Sequence, residues 1–250
     1  MGLFGMLGAA LDHGVTTIGK GVTAVGNLLT GERESGPSTR STDAGIDFSS
    51  HGHTESTTEV HFEPWRISHH FNYRSLQALK ERIAQYTPPP NVEVHQARIL
   101  MIGQIGAGKS SFFNTINSIF SDGITHLCPC GNADTSFTTA YRQYQIRPKG
   151  NSETLKFCLC DTCGIEESEG PSLRDIKYLL DGNVPNEYQF NSSSPINPNI
   201  QGFIKRPGLV DQVHCVAFVF DATAVDVMSD EMWNKFKQIQ VEVSKRGNML

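Results

Sequence analysis

Gly103-Gln-Ile-Gly-Ala-Gly-Lys-Ser110 decides how this chain is read. It matches the pattern G-x-x-x-x-G-K followed by Ser or Thr, in which each fixed position has a physical task. Glycines let successive backbone N–H groups turn inward around an anion, where a Cβ would obstruct them. Lys109 brings a point charge to the β- and γ-phosphates of a nucleoside triphosphate, and the Ser110 hydroxyl can ligate Mg²⁺. The pattern works only between a strand and a helix. Arg98-Ile-Leu-Met-Ile102 is a short apolar run suited to a buried parallel strand. From Ser111 to Phe120, residues Phe112, Phe113, Ile116, Ile119 and Phe120 recur at helical spacing. The helix N-terminus then turns its partial positive charge toward the phosphates. The fold expected is α/β, a P-loop NTPase three-layer sandwich.

Moving outward, Phe157-Cys-Leu-Cys160 is a strand that ends in Asp161-Thr-Cys-Gly164. A D-x-x-G element at a strand tip, after a phosphate loop, suits a guanine-nucleotide-binding-like domain. There the aspartate holds Mg²⁺ and the glycine N–H meets the γ-phosphate. Between the two elements lies Thr135-Ser-Phe-Thr-Thr139, where a threonine would close over Mg²⁺. Thr138 and Thr139 are both candidates. Ala140–Ile146 alternates as a strand, and the turn region at Pro148–Asn151 pairs it antiparallel with Leu155–Cys160. Val213–Phe220 is a third buried strand, and a long helix runs from Ser229 to Lys245. Ahead of the phosphate loop, a helix from Tyr73 to Tyr86 ends at Pro88-Pro-Pro90.

Cys128-Pro-Cys130 and Cys158-Leu-Cys160-Asp-Thr-Cys163 invite a zinc reading. C-x-C spacing is cramped for tetrahedral chelation, and Cys158 and Cys160 share a strand face as small core residues do. His51, His53 and His61 lie spaced without a cysteine or carboxylate frame and are read as solvated.

The 250 residues carry a formal net charge of −5 and 38% hydrophobic residues, which gives no reason to expect nucleic-acid binding. No signal peptide and no run of 18 apolar residues is evident, so the expectation is cytoplasmic. Three regions emerge. In residues 1–31, Phe4, Leu7, Leu11, Val15, Ile18, Val22, Val25 and Leu29 form one helical stripe, interrupted by six glycines. Those glycines cost on the order of 6 kcal/mol of helix propensity. The segment should therefore be coil in water and helical only against something. Membrane contact, helix–helix contact and no contact at all remain open. Residues 32–60 are polar and small, and read as a disordered linker. Residues 61–250 are the nucleotide domain.

The chain resembles the interferon-induced protein 44 and 44-like family from about Phe62 onward. The resemblance rests on Pro64-Trp-Arg66, on Ile99–Ile116, on Cys160-Asp-Thr-Cys-Gly164, and on two less generic stretches, Asp181–Phe190 and His214–Ala222. It implies an interferon-induced, cytoplasmic guanine-nucleotide-binding protein of the antiviral response, with GTP and Mg²⁺ as its ligands. It assigns Gly103, Gly106, Gly108, Lys109, Ser110 and Ser111, with Ala107 inside the loop, to phosphate and Mg²⁺. Asp161 and Gly164 become the γ-phosphate sensor, with Ser110 and Asp161 around the metal. Two departures stand out. No [N/T]-K-x-D element follows the last strand, so guanine comes from the resemblance alone, and the domain is expected to be incomplete at its C-terminus. Ile165 also stands where fast GTPases carry a water-positioning glutamine, so hydrolysis is expected to be slow or absent. The alternative is an interaction protein with a vestigial nucleotide site.

Overall fold

In the computed structural model, the described residues are 22–24, 73–128, 139–191 and 194–246. They belong to one compact unit; a second unit, Thr30–His70, lies outside them, as do the linker and most of the amphipathic stripe. The organising element is β2, Ala97–Gly103, whose Leu100, Met101 and Ile102 are fully buried. A strand buried on both faces needs cover on both, and its alternating side chains divide accordingly. Ala97, Ile99 and Met101 face a core built on α1 (Tyr73–Ala84) and α2 (Lys109–Ser121). Leu100 and Ile102 face a second core built on α3 (Leu173–Leu180) and α4 (Asp230–Lys245). The same division runs through β4 (Phe157–Asp161) and β6 (Cys215–Asp221). Phe157, Leu159, Ala217 and Val219 face α1 and α2, while Cys158, Cys160, Phe218 and Phe220 face α3 and α4. The result is α/β, a mixed sheet with helices on either side.

β2 pairs parallel with β4 and with β6, which puts the loops after all three strands at one end of the sheet. β3 (Ala140–Gln145) runs antiparallel to β4, with Arg142 opposite Asp161 and Gln145 opposite Cys158, as the turn between them predicts. A two-residue β5, Tyr188–Gln189, adds to β3. With β1 at Val22–Ala24, the strand order is β1-β6-β2-β4-β3-β5.

Two features depart from the sequence reading. α3 was not anticipated: its eight residues are too short for a periodic signal, although Ser172 and Asp175 form a full capping box at its start. β1, Val22–Ala24, is a strand antiparallel to β6 and opposite Val219–Asp221, not part of a helix. Flanking glycines weaken the helix, and the β6 edge offers open backbone hydrogen-bonding groups. Two of these three residues, Val22 and Thr23, are also β-branched and suit a strand.

Candidate functional site

The Gly103–Ser110 stretch joins the central strand β2 to helix α2. Gly106 has φ +73° and Gly108, which precedes the first residue of α2, has φ +96°, so both use the left-handed region that glycine enters freely. Gly103 has a different task. A Cβ there would lie 2.0 Å from the Val219 carbonyl oxygen, so the residue permits β2 and β6 to approach at the strand's end.

Lys109 begins α2 and is buried, and its Nζ donates to the carbonyls of Gly103 at 3.1 Å and Gln104 at 2.9 Å. Burial pushes its ammonium below the ordinary range, and the neighbouring Asp161 and Cys163 oppose that shift. One residue on, Ser110 Oγ donates to Asp161 Oδ2 at 2.8 Å. These two side chains are 51 positions apart in sequence, and the parallel pairing of β2 with β4 brings them together. Asp161 itself is 1% exposed at the tip of β4. A buried carboxylate beside a serine hydroxyl is a hard, all-oxygen donor pair, and the nearby Lys109 ammonium, which has no lone pair, can hold anions but no metal. The pair's chemistry fits Mg²⁺ rather than zinc.

The D-x-x-G turn is packed directly on the loop. A Cβ on Gly164 would lie 2.4 Å from Ile105 Cγ1 and 2.6 Å from the Ile105 nitrogen. Ile165 N–H donates to the Gly103 carbonyl at 3.0 Å, and Gln104 and Ile165 form a parallel bridge. The Ile165 side chain is 2% exposed. Beside it a cleft of about 430 Å³ opens, lined by Gln104, Ile105, Gly106, Glu166, Glu167 and Met232 among others.

Of the predicted residues, Gly103, Gly106, Ala107, Gly108, Lys109, Ser110 and Ser111 thus form one continuous turn, with Asp161 and Gly164 against it. Thr139 is not gathered in: it is exposed and its hydroxyl donates to Gln189 Oε1 at 3.2 Å. Thr138 lies outside the described residues. Cys158 and Cys160 are buried core residues, as their shared strand face indicates. Sequence reasoning missed the neighbours that enter through tertiary packing, above all Ile105, whose backbone seats Gly164, and Lys235 of α4. Lys235 Nζ donates to the Glu166 carbonyl at 2.6 Å and also to that of Glu167. No local pattern marks a helix lysine for that role.

Among the described residues, no helix is long and apolar enough to cross a membrane. No family model and no solved structure matches the chain. Curated relatives do. Over 172 residues it is 42% identical to interferon-induced protein 44 of Homo sapiens and 41% identical to that of Pan troglodytes, covering 68% of this chain and 38% of each relative. Over 167 residues it is 42% identical to interferon-induced protein 44-like of Homo sapiens, covering 66% of this chain and 37% of that protein. The homology expected from the residues therefore holds over two thirds of this chain, which spans less than two fifths of those relatives' length.

Proposed function

Starting from that homology to interferon-induced proteins 44 and 44-like, we propose that this chain is a guanine-nucleotide-binding protein of the interferon-induced type, acting in the cytoplasm in the innate immune and antiviral response. The domain is then a P-loop NTPase fold that binds GTP with Mg²⁺ and hydrolyses it slowly or not at all. The observation that carries the reading is the Ser110–Asp161 hydrogen bond at 2.8 Å beneath the glycine loop. Two residues unrelated in sequence meet at the one place where a phosphate loop needs its metal ligands.

The roles follow from position. Backbone N–H groups from Gly106 to Ser111 would face phosphate, aided by the α2 N-terminus. Lys109 would exchange its two carbonyl partners for phosphate oxygens, whose charge would add to that of the neighbouring Asp161. Ser110 and Asp161 would hold Mg²⁺, which neutralises phosphate charge when bound. Gly164 brings a backbone N–H beside the loop because no side chain keeps it away from Ile105. Guanine rests on homology alone. Contact of residues 1–31 with a lipid surface belongs to the same proposal.

One observation supports the expectation of slow turnover. Ile165 is buried and its N–H is taken by Gly103, so neither its side chain nor its N–H can orient a water as a glutamine amide would. The same observation favours the second reading, a partner-binding protein that has kept only the shell of the site. Calorimetric titration with Mg²⁺·GTP separates the two. Micromolar or tighter binding, lost in Lys109→Ala, supports the first; no binding supports the second. Competition by ATP tests the base. Turnover is expected at the unassisted small-GTPase scale, on the order of 10⁻⁴ to 10⁻³ per second. A rate near 1 per second without a partner would contradict it.

A further inference from the structure

The segment after Gly164 is tied at both ends, and the two ties lead to different parts of the molecule. On one side, Ile165 N–H holds the Gly103 carbonyl at 3.0 Å and Gly164 rests on Ile105, so the segment moves only if the glycine loop allows it. On the other side, α4 grips it twice. Lys235 Nζ donates to the carbonyls of Glu166 and Glu167, and the Ser229 hydroxyl, which caps α4, donates to Glu167 Oε1. Within the segment, Glu166 N–H bonds the Glu169 carbonyl at 3.0 Å. Gly170 packs so closely that a Cβ would lie 2.4 Å from the Gly164 carbonyl oxygen. A short loop closed on itself shifts as a unit.

α4 passes the connection on. Arg246 at its C-terminal end bonds Asp181 bidentately, at 2.7 and 3.0 Å, and Lys177 of α3 meets Glu242 at 3.5 Å. Hydrogen bonds and packed elements thus run without a break from the glycine loop to the α3–α4 face. Such a network carries coupling only if both ends bias one movable element.

We propose that Lys235 is a positioning residue that makes the 165–170 loop report the state of the candidate nucleotide site to the first turns of α4. The proposal rests on the nucleotide reading given above. Binding in the Gly103–Ser111 turn alters the partners of Gly103, Ile105 and Gly164. The loop answers through the only ammonium that holds its two carbonyls among the described contacts, and α4 shifts at its N-terminal end.

Trp233 lies in that part of α4, with its ring 5.6 Å from Phe220, and the chain has two tryptophans. In a Trp65→Phe background, Trp233 fluorescence therefore watches α4 alone. Mg²⁺·GTP is expected to change that emission in a saturable way. Lys235→Ala should abolish the change while nucleotide still binds, and Lys235→Arg should restore it in part. Without nucleotide, Lys235→Ala should also speed hydrogen exchange at the Glu166 amide roughly tenfold, while Lys237→Ala, exposed on the same helix, should not. If nucleotide binds with no change at Trp233, or if the change survives Lys235→Ala, the coupling is overturned and the nucleotide reading stands. If no nucleotide binds, both fall. An unaltered Glu166 amide in Lys235→Ala overturns the anchoring role by itself.

Discussion

At the residue scale, the glycines and cysteines of the site make sharp tests. Gly103→Ala would drive a methyl into the Val219 carbonyl, and Gly164→Ala into the Ile105 backbone, at 2.0 and 2.6 Å respectively. Backbone cannot rotate aside as a side chain can, so each change is expected to destabilise by about 1–3 kcal/mol. Gly103→Ala should be the worse of the two, as read from urea midpoints. Gly123, whose Cβ would meet nothing within 4 Å, is the neutral control. The thiols set an alkaline limit. Burial pushes Cys163 up to about 12 and Cys215 up to about 11 from an ordinary 9.0. Between pH 9 and those values the unfolded chain releases protons that the fold retains, so it binds fewer protons and stability falls as pH rises. Urea midpoints measured from pH 8 to pH 11 should decline, and the decline should flatten in a Cys163→Ser, Cys215→Ser double variant.

At the element scale, α3 depends on its first turn. The Asp175 carboxylate accepts from Ser172 N–H at 2.9 Å, from the Ser172 hydroxyl at 2.8 Å and from Ile196 N–H at 2.7 Å. Ser172→Ala removes a cap and is expected to cost about 1 kcal/mol. Asp175→Ala also strands the buried Ile196 N–H and should cost about 3 kcal/mol, as chemical denaturation would show. β1 raises a different question, because Val22–Ala24 pairs with β6 while lying in the amphipathic stripe. In an isolated peptide, where β6 is absent, burying that stripe's eight apolar side chains in lipid is worth roughly 1.5–3 kcal/mol each as an upper bound, more than the glycine cost of about 6 kcal/mol. A peptide of residues 1–31 is therefore expected to gain helix on neutral vesicles and to show little in buffer. Circular dichroism without any gain on vesicles removes the lipid proposal.

For the whole molecule, ligand linkage is the broadest test of the proposed function. A ligand that binds only the folded chain stabilises it by about 2.7 kcal/mol at a hundredfold excess over its Kd. Mg²⁺·GTP should therefore raise the melting temperature by several degrees; a chelator should reverse the rise, and Lys109→Ala should abolish it. Much of the scaffold for this was already legible. β2 and α2 were expected within a residue or two, because an uninterrupted apolar run and a 3.6-residue stripe are local signals. The antiparallel β3–β4 pair was equally legible from its turn. α3 and β1 were not, since one is too short to show a period and the other takes its conformation from the β6 edge. In the site the boundary falls the same way. The glycine turn with its lysine and serine can be read directly along the chain, because that chemistry is contiguous there. The meeting of Asp161 with Ser110, the turn of Thr139 toward Gln189, the seating of Gly164 on Ile105 and the hold of Lys235 on Glu166 all arise from packing between distant elements. Those contacts join positions about 50 to 70 residues apart. Strand order and register set such distances, and no local pattern of side chains encodes them.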